Sequence, residues 1–384
     1  MQACDVLIVG GGPAGSSCAR RLTQAGLDVV VVDRARFPRD KVCAGWITPQ
    51  VLSSLELDPV AYSRGRTFQA ITGFRVGLIG GRKETAVHYK SPVSFGILRR
   101  EFDAYLLERS RARIRVGQPV TRIVRDGEAW IVEDELRARW LVGAGGHFCP
   151  VARWLNPSET PTTVVAAREI EVPVEAVPGS ERDRPDVVAL YFSPDLSGYG
   201  WHVRKGAYVN IGFGQYMARA LPRATDAFAA FLGSRGITPV DSANWHGHAY
   251  RLYSDRRRRI ADAGVLLVGD AAGLAYPASG EGIRPAIESG LLGAAAILDG
   301  DRRGQGRQAG AYQEQLIARF GQPHPSKRDG LFSRLAADIA PALLASRWFV
   351  RHVVIDRWFL HASQRPLLTG QAPARQVDGS EVVE

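Results

Sequence analysis

Asp5–Asp33 reads DVLIVGGGPAGSSCARRLTQAGLDVVVVD, the residue order of a strand, a glycine turn, a helix and a second strand. Val6-Leu7-Ile8-Val9 is an apolar run of strand length. Gly10, Gly12 and Gly15 follow in G-x-G-x-x-G spacing. A helical pattern then stops at Gly26, and Val29 to Val32 leads into Asp33. Such a βαβ unit builds a dinucleotide site. Gly10 allows the tight turn, Gly12 lets backbone approach a pyrophosphate, and Gly15 lets the helix pack on the sheet. Pro13 and Ala14 open the helix, where a missing N–H costs nothing, and the free N–H groups suit phosphates. Asp33, with Arg34 next to it, stands about twenty residues on, where a carboxylate accepts from ribose hydroxyls. The spacing alone leaves FAD and NAD(P) open.

A chain of 384 residues has room for two domains or one interleaved one. Hydrophobic residues at 45% and charged residues at 23% are ordinary for a soluble globular protein. The net charge of +10 favours anionic partners, but no basic cluster is interleaved with aromatics, so nucleic acid is not an expected partner. Arg256-Arg257-Arg258-Arg259 reads as a solvated surface or a pairing site. Cys4, Cys18, Cys43 and Cys149 form no C-x-x-C and no zinc spacing. Cys4, Cys18 and Cys149 read as packing residues. No leader precedes the first strand and no window has eighteen uninterrupted apolar residues, so the expected location is cytoplasmic.

Further along, Arg34 to Trp46 reads as a loop, Thr48-Pro49 opens a short helix, and residues 67–89 read as a hairpin turning at Gly80-Gly81. A helix is expected over Glu101–Arg111 and strands over 114–142, with Asp126-Gly127 a turn. Residues 163–214 are strand-rich. Thr225–Leu232 reads as a helix, and Trp245–Leu252 as a strand. Val265 to Val268 is a buried-type strand. Helices are expected over Glu281–Leu298, Gln308–Phe320 and 330–360, the last interrupted at Pro341. The final residues are polar and expected to be disordered.

Leu266-Leu267-Val268-Gly269-Asp270-Ala271-Ala272 puts a carboxylate at a strand end among small residues. Such an Asp suits ribityl hydroxyls, which a plain NAD domain does not require. Four other segments accompany it. They are the opening GGGPAG with Asp33, Phe37 to Gly45, Arg99 to Leu106, and Tyr199-Gly200-Trp201-His202-Val203. Downstream, Pro277-Ala278-Ser279-Gly280-Glu281-Gly282-Ile283 follows the Asp270 strand. In these motifs the chain resembles FAD-dependent oxidoreductases built like the aromatic hydroxylases, and within them the geranylgeranyl reductase family. The resemblance runs through most of residues 1–300.

That resemblance implies an α/β fold. A Rossmann-like FAD-binding domain would be assembled from 1–60, 95–160 and 255–320, with a β-rich substrate domain from 61–94 and 161–254. A C-terminal helical segment over 321–370 and a tail over 371–384 would follow. It implies FAD contacts from Lys41, Cys43, Ala44, Gly45, Arg99, Gly145, Gly269, Asp270, Gly280, Gly282 and Ile283, beside the residues of the opening stretch. Tyr199 and Trp201 would line the substrate cavity. Cys43 is the implied catalytic side chain, donating a proton or packing against a substrate double bond, with Lys41 and nearby arginines favouring its thiolate. The expected substrate is a small, lipid-like molecule such as an isoprenoid, whose C=C bond takes a hydride from flavin N5.

Two departures bear on this. Gly145-Gly146-His147 stands where hydroxylase-like relatives carry an Asp-Gly pair tied to NAD(P)H use, which leaves NAD(P)H and a protein donor both open as the electron source. The family's C-G-G is Cys43-Ala44-Gly45 here. An FAD monooxygenase acting through a C4a-hydroperoxide and a non-catalytic flavin sensor or electron-transfer protein are the alternatives. Apolar and basic residues alternate over 331–360, which reads as packed helices, a cover on a lipid tunnel or a peripheral membrane contact. Oligomeric state is not legible.

Overall fold

The computed structural model describes residues 1–159, 164–216, 218–238, 244–253, 258–303, 308–323 and 330–367. The expected disordered tail lies outside the described residues.

The strand Gln2–Val9 sits inside a mostly parallel sheet. It pairs in parallel with Leu136–Gly143 on one side and Val29–Asp33 on the other. Val265–Leu267 joins beyond Leu136–Gly143, and Arg113–Val116 beyond Val29–Asp33. Val6, Leu7, Ile8, Val30, Val31, Leu141, Val142 and Val265 to Val268 are all buried. Continuous apolar runs are what strands covered on both faces require. Helix Pro13–Gln24 packs on this sheet and against helix Ile283–Arg303. There the close approach needs glycine. A Cβ on Gly290 would overlap the Ala14 carbonyl, and one on Gly15 would overlap that of Gly10.

A second sheet of seven strands runs in the order His246–Arg251, Val164–Pro173, Tyr208–Gln215, Gly198–Lys205, Val187–Phe192, Gly73–Leu78, Glu84–His88. Its neighbours are antiparallel except Val187–Phe192 with Gly73–Leu78. Period-two alternation gives it two unlike faces. Ile170, Ala189, Tyr191, Ile211 and Phe213 pack under helix Leu221–Ser234. Ala167, Leu190, Phe192, Trp201 and Val203 face the other way, with Trp46 and the C-terminal segment. Glu169, Glu171, Asn210 and Lys205 alternate in phase with that second set, so they belong to the same face.

Three local expectations are corrected. Helix Gly330–Ala345 runs through Pro341, because tertiary packing overrides the lost hydrogen bond. Within the strands expected over 114–142, one is Ile123–Asp126 and so runs into the expected Asp126-Gly127 turn. Cys4 is only half-buried, whereas Cys18 and Cys149 are buried. Of the arginine run, residues 256 and 257 lie outside the described residues. Arg258 is a pairing residue, bonded to Glu159 at 2.5 Å and to the Ala271 carbonyl at 2.6 Å.

Candidate functional site

The first glycine loop has the shape a dinucleotide requires. Gly10 takes φ +118°, and a Cβ there would overlap the Ala144 carbonyl. Gly12 differs, because within 4 Å its would-be Cβ meets only Arg39 Nη2, at 3.5 Å. The front of the loop is therefore open beside a cation. Arg39 pairs with Asp103 at 3.1 Å, yet its Nη1 is buried without a partner among the described residues. An unpartnered guanidinium nitrogen near a helix N-terminus fits a pyrophosphate. Asp33 accepts from Gly11 N at 2.7 Å and Ala35 N at 2.8 Å, which fixes the carboxylate for ribose hydroxyls. Arg34 is exposed and makes no hydrogen bond among the described residues. Gly145 is exposed at the edge of the loop, just before the short turn Gly146–Phe148.

The downstream motif closes onto the same place. Gly269 lies against Ala14 and Ala286, a Cβ there falling 3.0 Å from the Ala14 Cβ. Gly282 faces Asp270, with 3.3 Å from a Cβ to Asp270 Oδ1. The helix begins at the buried Ile283, two residues later than expected, and Glu281 Oε1 accepts from Arg284 N at 2.7 Å. Glu281 is thus the cap of the helix start. Burial pushes its carboxyl up to about 7.

Three groups from distant parts of the chain meet at Asp270. Lys41 Nζ lies 2.6 Å from His248 Nε2, and His248 Nε2 lies 3.7 Å from Asp270 Oδ2. Burial draws the Lys41 ammonium down to about 8, with Asp270 opposing. Burial and Lys41 likewise hold His248 below its usual range, against the pull of Asp270. Burial works against charge on Asp270. His248, Lys41 and Arg99 outweigh it and keep the carboxyl ionised below its ordinary value. The 277–282 loop is held by tyrosines from the second sheet. Tyr216 donates to the Pro277 carbonyl at 2.9 Å and Tyr199 to the Ser279 carbonyl at 2.5 Å. The Tyr250 hydroxyl occupies the space a Cβ on Gly280 would need.

Cys43 lies in the loop that meets Glu169 and Asn210 of the second sheet. The buried Arg99 guanidinium is near enough to the Cys43 side chain for the two to interact electrostatically. Arg99 in turn forks onto Asp103 at 2.8 and 2.7 Å. Burial opposes the charge on Arg99, and Asp103 and Cys43 more than offset it. Gly45, at φ +66°, has its Cβ position filled by Lys205 Nζ. Lys205 is fully buried and pairs with Glu171. Ala44 packs against the apolar cluster of Trp46, Phe192 and Trp201. The Trp201 indole lies over Gly212 and Gly214, which no larger residue would allow at Gly212, and Trp201 Nε1 donates to Asn210 at 2.6 Å. Tyr199 sits beside Trp201 at 6.0 Å between ring centroids.

The sequence reading did not single out Arg39, Glu169, Asn210, His248 or Tyr250. A signal existed for Glu169, His248 and Tyr250. Glu169 and Glu171 are two apart in a largely apolar strand, and His248 and Tyr250 two apart in an edge strand, so each pair shares one face. A separate Ser180–His202–Asp183 arrangement has Oγ to Nε2 and Nδ1 to Oδ2 distances of 3.1 Å. Ser180 is fully buried, which bars a substrate from it and leaves it a packing network under helix Leu221–Ser234.

Comparison with known proteins agrees with this geometry. The family model described as FAD dependent oxidoreductase matches residues 5–79, and that described as FAD binding domain matches residues 99–300. The chain is 30% identical to the menaquinone reductase of Mycobacterium tuberculosis over 328 residues, covering 78% of this chain and 77% of that one. It is 28% identical to digeranylgeranylglycerophospholipid reductase 1 of Methanothermobacter thermautotrophicus over 343 residues, 83% of each. A geranylgeranyl bacteriochlorophyll reductase-like protein from Thermoplasma acidophilum superposes with a TM-score of 0.76 at 20% identity, covering 95% of this chain and 97% of that one. FAD is the cofactor, and the chain belongs to the geranylgeranyl reductase family of FAD-dependent oxidoreductases.

Proposed function

We propose that this flavoprotein saturates C=C bonds in an isoprenoid or similarly lipid-like molecule. The observation that carries the reading is the Cys43 loop set beside an apolar aromatic wall of Trp46, Phe192, Tyr199 and Trp201, with Ala44 packed on the wall and Asn210 joining the Cys43 carbonyl to Trp201. The names of the menaquinone and digeranylgeranylglycerophospholipid reductases support it.

Bound FAD supplies hydride chemistry. Gly12 and Arg39 would hold its phosphates, Asp33 its adenosine ribose, and Asp270 with Lys41 its ribityl and ring side. Cys43 would deliver a proton at Sγ to the carbon that does not receive hydride, and regain it from solvent. Arg99, already neutralised by Asp103, would orient the thiol. The wall would exclude water from the reacting bond.

The test is anaerobic mixing of the reduced holoprotein with geranylgeranyl diphosphate or a menaquinone. Substrate-dependent flavin reoxidation is expected, slowed about a hundredfold in Cys43→Ala, the scale of one general acid. Failure of every prenyl compound to reoxidise the flavin overturns the reading. Substrate-dependent uptake of labelled oxygen into product would replace it with a monooxygenase. Electrons come from NAD(P)H or a protein donor, and anaerobic bleaching of the flavin by NADPH separates the two.

The same reading includes peripheral contact with an anionic lipid surface. Trp348 is 67% exposed and Ile339 55% exposed, and Arg347 and Arg351 flank Trp348. Exposed aromatic and basic residues on one segment suit an interface. Among the described residues no helix is long and apolar enough to cross a membrane. Co-sedimentation with phosphatidylglycerol vesicles is expected to fall about fivefold in Trp348→Ser, roughly one buried aromatic's contribution at an interface. Equal binding by both proteins, or none by either, removes the membrane contact.

A further inference from the structure

We propose that Glu169 and Asn210 are positioning residues for the reaction, a two-point clamp that fixes the Cys43 peptide beside Arg99. Loop residues are ordinarily held by their own backbone or by water. Here both polar backbone groups of Cys43 are taken by side chains from another sheet. Glu169 Oε1 accepts from Cys43 N at 2.7 Å, and Asn210 Nδ2 donates to Cys43 O at 3.4 Å. Glu169 comes from strand Val164–Pro173 and Asn210 from its neighbour Tyr208–Gln215. The two lie on one face, since Glu169 is paired with Gly212, two residues from Asn210.

Both side chains are buried, Glu169 at 5% and Asn210 at 0% exposure. A carboxyl in that setting costs free energy, and burial pushes it up to about 7 against the pull of Lys205 and the Cys43 amide. Its second oxygen, Oε2, is buried with no hydrogen-bond partner among the described residues. A purely structural site would be served better by an apolar side chain. The polar pair has a specific consequence instead, because it sets where Cys43 lies. Asn210 also donates to Glu171 at 3.1 Å and accepts from Trp201 Nε1 at 2.6 Å. The clamp therefore joins the candidate cavity wall to the thiol-bearing loop through Trp201, Asn210 and Cys43. A substrate pressing on Trp201 bears on the position of Cys43 through two hydrogen bonds.

The test reads Cys43 directly, so it stands apart from the proposed activity. The holoprotein is alkylated with iodoacetamide, and modification is followed at the Cys43 peptide by mass spectrometry. Glu169→Ala is expected to change the Cys43 alkylation rate about fivefold, the scale of one lost hydrogen bond, and Glu169→Gln to restore it, since an amide oxygen still accepts from Cys43 N. Unchanged alkylation in Glu169→Ala at full flavin content overturns the clamp, as does a Glu169→Gln rate equal to that of Glu169→Ala. Should Glu169→Ala fail to fold, amide exchange in the unmodified holoprotein decides. A protected Cys43 amide is expected, and exchange at the rate of an open loop overturns the proposal. The inference rests on the proton role of Cys43 only for its effect on turnover. Altered alkylation with no prenyl activity in any protein leaves the clamp standing and removes the proposed function alone.

Discussion

Gly15→Ala is expected to unfold the nucleotide half of the molecule, whereas Gly12→Ala leaves it folded with a weakened hold on FAD. The two glycines belong to one motif and do different work. A Cβ on Gly15 would overlap the Gly10 carbonyl oxygen and come within 3.1 Å of the Ala144 Cβ. Backbone is the obstacle, so no side-chain rotation relieves it. Helix Pro13–Gln24 would have to lift from the sheet, pulling Ala14 and Cys18 away from Gly290. A displacement of that kind costs about 4 kcal/mol or more, at the destabilising extreme of single substitutions. At Gly12 the would-be Cβ has open space, and the φ of −74° suits alanine. The cost to the fold is about 1 kcal/mol, the difference between glycine and alanine at an N-cap. The same methyl group stands where phosphate must approach, and affinity for FAD is expected to drop at least about tenfold, or ~1.4 kcal/mol. Melting of the two apoproteins and flavin titration of each make the comparison. Equal melting temperatures, or full flavin affinity in Gly12→Ala, would sink the division of labour.

That division explains how much was legible beforehand. The first βαβ unit and the Asp270 strand end are local: their residues lie together in the chain, and glycine spacing reports backbone geometry directly. The strands of the first sheet followed from apolar runs that must be buried on both faces, and their order did not. The meeting of Lys41 with His248, or of Cys43 with Glu169, depends instead on which strands of the second sheet neighbour each other and which face turns to the loop. Period-two alternation fixes that Glu169 and Glu171 share a face. It cannot say that the face looks at Cys43, 126 residues earlier. Arg39 was invisible for another reason. An arginine in a loop carries no periodicity, and its unpartnered nitrogen appears only once Asp103 and Gly12 are placed around it. Pro341 misled because a single lost N–H is a local cost, while the helix continues on either side of it and buries Ala340 and Leu344.

The C-terminal segment gives the second large effect. Arg284→Ala is expected to release residues 349–365 from the body of the protein and to cost about 3–5 kcal/mol, the scale of a broken buried ion pair. Arg284 is 1% exposed. Its Nε donates to Glu288 at 3.0 Å, and its Nη2 donates to the carbonyls of Gln364 at 2.8 Å and Arg365 at 3.0 Å. Arg319 completes the knot, reaching Glu288 at 2.8 Å through Nε and the Arg365 carbonyl at 2.7 Å. The planar fork is what lets one side chain serve a carboxylate and two carbonyls, so Arg284→Lys is expected to recover little. The knot has a consequence at the candidate cavity. The π-helical turn Val350–Phe359 places Phe359 5.3 Å from Tyr199, 6.2 Å from Trp46 and 6.5 Å from Phe192, ring centre to ring centre. Those are the residues proposed to wall the substrate, so Phe359 is their cover, and Arg284 holds the end of the segment that carries it. Limited trypsin digestion of Arg284→Ala is expected to cut at Arg351 or Arg357 under conditions that spare the parent protein, with a lowered melting temperature. Arg351→Ala is the control. Arg351 is half-buried, with one 3.4 Å bond to the His88 carbonyl and its guanidinium 4.7 Å from the Tyr89 ring centre, and its loss is expected to change stability by at most about 1 kcal/mol. If Arg284→Ala resists trypsin as the parent does, the segment is held by the packing of Val350, Val354, Ile355 and Phe359, and the ion-pair knot is dispensable to the cover.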